Sequence, residues 1–127
     1  MRDLFLDTLV SEKFAIKVLR DRYHIPSGDI EHITAEDADN PIDLRYRGLT
    51  FDVKFSNPQL TSQDKTQKAW DFDIRGKHDY CDYFLLVGMI NYRPKSVFLV
   101  SAAGAPRHHI RVSIQGHSKW HEYKIWG

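Results

Sequence analysis

Residues 41–56 read PIDLRYRGLTFDVKFS, and this stretch decides how the chain folds. Polar and apolar residues alternate on both sides of Gly48, which is typical of two strands joined by a tight turn. Glycine tolerates the positive φ that such a turn needs, so we place a two-residue turn at Arg47 and Gly48. The register of the hairpin follows from that turn. One face then carries three apolar cross-strand pairs: Ile42 with Val53, Leu44 with Phe51, and Tyr46 with Leu49.

The other face of the hairpin carries an unusual pair of acids. In the same register Arg45 lies opposite Thr50, and Asp43 lies opposite Asp52. Carboxylates that face each other across two strands have Cβ atoms about 5 Å apart and repel each other. Lys54 points to the same face as Asp52, because strand side chains alternate. Two carboxylates at this separation suit a hard divalent cation such as Mg²⁺. The alternative is a solvated sheet face on which Lys54 and Arg45 neutralise the acids.

Residues 3–22 are predicted to form a helix, because they contain no Gly or Pro and place apolar residues at helical spacing. Glu12 lies in the middle of the apolar sector made by Phe5, Leu9, Ile16 and Leu19. Glutamate is seldom buried without a partner, so we expect Glu12 to point into the fold and to need one. It could pair with Arg45 or Arg47, or it could join Asp43 and Asp52 at one metal ion. The basic residues of the helix fall on a different, solvated side: Lys13, Lys17 and Arg20.

The rest of the chain predicts short strands separated by loops. Strands are expected at residues 30–33, 83–90 and 96–101, at 120–126 as one or two edge strands, and where apolar residues alternate in Trp70, Phe72, Ile74 and in Ile110, Val112, Ile114. Residues 83–90 form a continuous apolar run, which is typical of a strand buried on both faces. Loops are expected at 35–40 and at 57–68, the latter with or without a short helix. A leading helix followed by a mixed, mostly antiparallel sheet indicates an α+β fold, or an α/β sandwich variant of it with three layers.

Composition limits the class of protein without identifying it. The 127 residues, of which 42% are hydrophobic and 28% charged, fit one globular domain spanning residues 1–127. No apolar run approaches the ~20 residues that a membrane span needs, and Asp3 and Asp7 interrupt the start where a signal peptide would be apolar. The single cysteine, Cys81, suits a reducing cytoplasm and is expected to be an inert buried thiol. With 18 Lys+Arg against 17 Asp+Glu, binding of nucleic acid requires that the charges be sorted by face.

A glutamate on the first helix, then P-x-D, then a hairpin that ends in D-x-K resembles the PD-(D/E)xK nuclease superfamily, which has the restriction-endonuclease-like fold. The matching residues are Glu12, Pro41-Ile42-Asp43 and Asp52-Val53-Lys54. One departure is that Ile42 separates the proline from the aspartate, which are often adjacent in the family. In its small size the chain is most similar to members of the compact homing-endonuclease and Holliday-junction-resolvase branches.

The resemblance implies a Mg²⁺-dependent DNA endonuclease, with Mn²⁺ able to substitute, that leaves 5′-phosphate ends. It implies that Asp43, Asp52 and the Val53 carbonyl bind the metal, that Glu12 binds through water or holds a second ion, and that Lys54 positions the attacking water. Because one site cuts one strand, an enzyme that cuts both strands is expected to be a homodimer or a larger homo-oligomer. Two alternatives stay open: a catalytically inactive nucleic-acid-binding or assembly protein on the same fold, and an unrelated α+β protein with coincidental spacing.

Contacts to DNA are expected from two basic or amide-rich segments. Gln and Lys can read base edges in a groove, and basic side chains bind phosphates. The candidate DNA-binding residues are Lys13, Lys17 and Arg20 on the helix, and Gln59, Gln63, Lys65, Gln67 and Lys68 on the loop after the hairpin. A second basic patch consists of Arg107, His108, His109 and Arg111. The alternative for each of these residues is an ordinary solvated surface.

Overall fold

The computed structural model of the chain describes residues 4–26, 28–37, 39–40, 42–60, 68–114 and 118–127, with side chains described from residue 12 onward except residue 36. It contains two α-helices, α1 (Leu4–Tyr23) and α2 (Ile33–Glu36), and two 3₁₀ helices, Ala102–Gly104 and Lys119–Tyr123. The strands among these residues are β1 (Glu31–His32), β2 (Leu44–Tyr46), β3 (Leu49–Ser56), β4 (Gln59–Leu60), β5 (Lys68–Asp73), β6 (Tyr83–Ile90), β7 (Arg93–Ser101), β8 (His109–Ser113) and β9 (Lys124–Trp126).

The strands form two sheets. The larger sheet has the order β1-β2-β3-β6-β7-β9, and the smaller has the order β4-β5-β8. Only the β3–β6 pairing is parallel among the pairings of the described strands, and the others are antiparallel. A long N-terminal helix with a mixed, mostly antiparallel set of strands confirms the predicted α+β fold. None of the helices in the described segments is long and apolar enough to cross a membrane.

The hairpin has the predicted register over the three pairs nearest the turn, but the ladder of β2 and β3 does not extend to the predicted pairs Asp43–Asp52 and Ile42–Val53. Leu44 pairs with Phe51 and Tyr46 with Leu49. The turn residues Arg47 and Gly48 both have positive φ, 47° and 81°, which is the conformation that joins two twisted strands through two residues. An arginine at positive φ carries a small conformational cost, which the paired strands on either side offset.

The core lies on both faces of the larger sheet, and β6 explains why. Leu85 and Val87 of β6 pack with α1 on one face, whereas Phe84 and Leu86 pack with the smaller sheet on the other. The continuous apolar run of β6 is therefore explained as predicted, because the strand is buried on both faces. The result is three layers: α1, the larger sheet, and the smaller sheet.

Several predicted boundaries are wrong, each for a local reason. Strand β1 stops at His32, because the N–H groups of Ile33 and Thr34 both donate to the backbone carbonyl of Asp43. The single turn of α2 therefore starts at the last residue of the predicted strand and runs into the predicted loop. Gln59–Leu60 and the start of β5 are extended rather than loop, since they pair with each other. The first part of the predicted C-terminal edge strand is a 3₁₀ helix, and only Lys124–Trp126 pairs with β7.

At Gly88 of β6 the larger sheet packs closely against Trp70 of the smaller sheet. A Cβ at this position would lie 2.5 Å from two carbons of the Trp70 indole. Trp70 cannot move away freely, because it is buried and its Nε1–H donates to the Met89 carbonyl at 2.9 Å. The absence of a side chain at Gly88 is therefore what allows β5 to pack against β6.

Gly88→Ala is expected to lower the free energy of unfolding by about 1–3 kcal/mol, because over-packing displaces neighbours from their preferred rotamers. Gly104→Ala is the matched control, since a Cβ there meets no atom within 4 Å. Urea unfolding of the two variants measures the difference. Equal stabilities would show that the Trp70 ring is not held against β6.

Candidate active site

The hairpin brings Asp43 and Asp52 together at the centre of the fold. Both residues are buried, with Asp52 only 3% exposed. Burial is the largest cause that raises the pKa of Asp52, to about 7. The Lys54 ammonium opposes this shift, while the charge of Asp43 and a hydrogen bond between the two carboxyls add to it. The structure thus brings together the two acids that the register predicted to face each other.

The backbone holds Asp43 in a fixed orientation. Its Oδ2 accepts a hydrogen bond from the Val53 N–H at 2.7 Å, and its N–H donates to the Phe51 carbonyl at 3.0 Å. Its own backbone carbonyl accepts from Ile33 N–H at 2.8 Å. These contacts take Asp43 out of the regular ladder and turn its carboxyl towards β3. One oxygen of Asp43 is therefore occupied by the Val53 N–H.

One carboxylate oxygen of Asp52, in contrast, is buried without a hydrogen bond. Asp52 Oδ2 has no hydrogen-bond partner among the described residues, although Lys54 Nζ lies 3.5 Å away. A buried polar atom without a hydrogen bond is rare in native proteins and calls for a missing partner. A hard divalent cation fits this position, because carboxylate and carbonyl oxygens are the ligands that Mg²⁺ and Mn²⁺ prefer.

Glu12 is buried as its place in the helix predicts, but its partners differ from those considered. Thr34 Oγ1 donates to Glu12 Oε1 at 2.6 Å, and His32 Nε2 lies 2.6 Å from the same oxygen. Burial raises the pKa of Glu12, while these two hydrogen bonds oppose the shift. Arg45 instead pairs with Glu31 at 3.6 Å, so pairing of Glu12 with this arginine is wrong.

Glu12, Asp43 and Asp52, considered above as joint ligands of one metal ion, are only partly brought together. The charge of Asp43 contributes to the raised pKa of Glu12, which places the two carboxyls near each other. Within the described residues, however, no three His, Cys, Asp or Glu side chains form a ready metal-binding group. The described site is thus a close pair, Asp43 and Asp52, with Glu12 beside it and bound to its own donors.

A cleft of about 400 Å³ opens beside Lys54. Its wall consists of Lys54, Phe55, Asp71, Asp73, Arg75 and Lys77. The charge of Lys77 also lowers the pKa of Asp52, by less than the charge of Lys54 does. His32, Thr34 and Lys77 are absent from the site residues predicted from the sequence. A signal for the first two existed, since a buried Glu12 requires hydrogen-bond donors, but nothing local points to Lys77.

Those of the predicted DNA-binding residues that the structure describes do not form one surface. Lys13 and Lys17 are exposed and Arg20 half-buried on α1, whereas Gln59 and Lys68 are exposed on the smaller sheet, across the larger sheet from the helix. Gln63, Lys65 and Gln67 lie outside the described residues. In the second basic patch, His109 and Arg111 bind the two oxygens of Asp71 at 2.9 and 3.1 Å, so both are already engaged by a residue of the cleft wall.

The remaining thiol does not join the site. Cys81 is buried, and burial raises its pKa to about 12. Its Sγ–H donates to the Lys77 carbonyl at 3.5 Å. A thiol in this state has too little thiolate to act as a nucleophile or a metal ligand.

Asp52→Asn is expected to stabilise the metal-free protein by about 1–3 kcal/mol at about pH 8. The folded state holds the pKa of Asp52 above its value in an unfolded chain. The free energy of unfolding therefore falls as the pH rises towards 7, and above pH 7 the full cost of the buried charge applies. Asparagine carries no charge and can donate to Asp43. Asp71→Asn is the control, because Asp71 is already paired with Arg111. Urea unfolding in EDTA compares the variants; a loss of stability in Asp52→Asn would contradict this account of the acidic pair.

Thr34→Val is expected to destabilise the protein by about 1–3 kcal/mol, because it leaves the buried Glu12 carboxylate without one donor. Thr50→Val removes a comparable hydroxyl, which donates to Asp82 Oδ2 at 3.2 Å on the exposed surface. The loss there is expected to stay below about 1 kcal/mol. Thermal or urea unfolding ranks the two variants, and a larger loss at Thr50 would mean that Glu12 does not depend on Thr34.

Comparison with known proteins adds no assignment. A scan of the chain against protein-family models finds no match, and a search of curated protein sequences finds no match either. What the chain does must therefore be argued from its own residues. The strongest of these are the buried carboxyls of Asp43 and Asp52 and the ammonium of Lys54, which lie together at one end of the hairpin.

Proposed function

We propose that this chain is a metal-dependent DNA endonuclease of the PD-(D/E)xK type, with α1 and the larger sheet as its restriction-endonuclease-like core. The observation that supports this is the buried Asp52 Oδ2, which lacks a hydrogen bond within the described structure and has Lys54 Nζ at 3.5 Å. A buried charge beside a second acid opposes folding, and such arrangements concentrate at functional sites. An acidic pair and a lysine are also the groups that metal-assisted hydrolysis of a phosphodiester requires.

In this proposal the carboxylates of Asp43 and Asp52 and the backbone carbonyl of Val53 hold a divalent ion, Mg²⁺ or in its place Mn²⁺. The bound ion supplies a Lewis acid at the phosphate and a water of lowered pKa. The Val53 N–H keeps the Asp43 carboxylate in position. Lys54 orients the attacking water with its ammonium and offsets the negative charge that develops on the phosphate. The expected products carry 5′-phosphate and 3′-hydroxyl ends.

Glu12 has a narrower role than that of a full ligand. Its Oε1 is already engaged by Thr34 and His32. Because Oε1 is engaged in this way, a contact through a water molecule suits Glu12 better than direct binding of a second ion. His32 and Thr34 then act as positioning residues, because they fix the glutamate that holds this water.

The alternative is a catalytically inactive DNA-binding protein on the same fold. The observation that favours it is the state of Glu12, whose carboxylate is occupied by protein donors, together with the missing three-acid group among the described residues. The alternative does not explain why Asp52 Oδ2 is buried without a hydrogen bond in the described structure, and for that reason we place it second.

The proposal extends to assembly and location. One active site cuts one strand, so cleavage of a duplex requires two copies, and we propose a homodimer. A reduced, buried Cys81 is consistent with function in the cytoplasm.

The test is cleavage of supercoiled plasmid and of four-way-junction DNA with Mg²⁺, with Mn²⁺ and with EDTA. Wild type is expected to cut with either metal and not with EDTA. Asp52→Asn should abolish cleavage, and Lys54→Met should slow it by about 10²- to 10⁴-fold. Both should still bind DNA, because one charge is a small part of the phosphate contacts. Lys95→Met, at an exposed position on β7, is the control and should cut like wild type.

Two outcomes would contradict the proposal. DNA binding by wild type without cleavage in either metal would favour the inactive alternative. Cleavage that survives in both Asp52→Asn and Lys54→Met would place any activity at another site, and the acidic pair would then be structural.

A further inference from the structure

The cleft beside Lys54 is lined by charges that are mostly paired. Asp73 binds Arg75 through two hydrogen bonds, from Nε to Oδ1 at 3.1 Å and from Nη2 to Oδ2 at 2.8 Å. Asp71 is bound by His109 and Arg111. Lys54 is paired with Asp52 at 3.5 Å. Four of the five charged residues that line the cleft therefore have a partner of opposite charge within the described structure.

Lys77 is the exception. It lines the same cleft, yet no Asp or Glu of the described chain lies within ion-pairing distance of its ammonium. It is half-buried, so part of its side chain packs against the fold. An ammonium in this position, beside paired neighbours, is available to an anion that enters the cleft.

The backbone of Lys77 is held on both sides. Its N–H donates to the Ile74 carbonyl at 3.2 Å, and its carbonyl accepts from the Tyr80 N–H at 3.1 Å. Ile74 is fully buried, and Gly76 supplies a φ of 74° that a residue with a side chain rarely adopts. The turn between β5 and β6 thus presents Lys77 from a fixed base, as a positioned binding residue requires.

Lys77 and Lys54 reach the cleft from different elements. Lys54 belongs to β3, two residues after Asp52, whereas Lys77 comes from the turn after β5. Both side chains line the same cleft. A chain that enters the cleft would therefore meet two ammoniums, one from each element. Phosphate is the anion that suits two such point charges close to a metal site.

We propose that Lys77 is a second substrate-binding lysine, which holds a phosphate of the DNA strand to be cut against the cleft formed with Lys54. This inference rests on the proposed function and identifies the backbone phosphate as the group that the cleft binds. Lys77 sets the position of the strand, whereas Lys54 acts at the attacking water.

The experiment compares Lys77→Met, Lys77→Arg and the control Lys124→Met, whose lysine is exposed on the far edge strand β9. Cleavage of supercoiled plasmid with Mg²⁺ gives kcat and KM. Duplex binding is measured against salt concentration in an Asp52→Asn background, so that the DNA stays intact. Lys77→Met is expected to lower kcat/KM by about 10- to 100-fold, because misplacement of the phosphate costs rate. It should also reduce the slope of log K against log salt by about 0.9.

Recovery of most of both losses in Lys77→Arg, with Lys124→Met at wild-type values, supports the proposal, since a structural role would not change the salt slope. An unchanged slope in Lys77→Met overturns it, and so does a rate loss that tracks only a lowered melting temperature. If Lys77→Met does not fold, Lys77→Arg and Lys77→Gln are compared in the same way. Cleavage by wild type with no effect at Lys77 refutes this inference alone; no metal-dependent cleavage by wild type refutes the proposed function and this inference together.

Discussion

The hydrogen bond from the Val53 N–H to the Asp43 carboxylate, 2.7 Å long, is the contact on which the site depends. It replaces a regular ladder bond at the end of the hairpin and holds the Asp43 carboxyl against that of Asp52. Two like charges are thereby kept together out of water, which opposes folding unless a proton or a cation is shared between them. The pKa of Asp52 is raised because burial and the charge of Asp43 both disfavour its ionised form. A fold that maintains such a contact needs stability from elsewhere.

The two-sided core supplies that stability. Strand β3 lies between β2 and β6, so Asp52 is carried by an interior strand and cannot turn out to solvent. The neighbouring β6 contributes Leu85 to one core cluster and Phe84 to the other, and Gly88 allows the smaller sheet to pack closely. A polar cleft lined by Lys54 and Lys77 opens near the acids. Its position next to the carboxyls is what connects the fold to the proposed chemistry.

Much of this arrangement could be predicted from the sequence where periodicity is strong. The hairpin register follows from alternation around Gly48, and the burial of Glu12 follows from its place in a long helix. His32 and Thr34 could not be assigned, because a two-residue strand and a single helical turn are too short to show a period. Lys77 could not be found either, since its place near Asp52 depends on how the turn after β5 packs against β3. The pairing of β5 with β8 likewise joins segments too far apart in sequence for local patterns to reveal.

The central claim is that the Asp43–Asp52 pair is a divalent-metal site, and diffraction from crystals grown with Mn²⁺ tests it most directly. Data collected at the manganese absorption edge locate the ion independently of any activity. The account predicts an anomalous peak about 2.1–2.3 Å from a carboxylate oxygen of each aspartate. Clear density for both side chains with no peak between them, and with the two carboxyls hydrogen-bonded to each other, would contradict it.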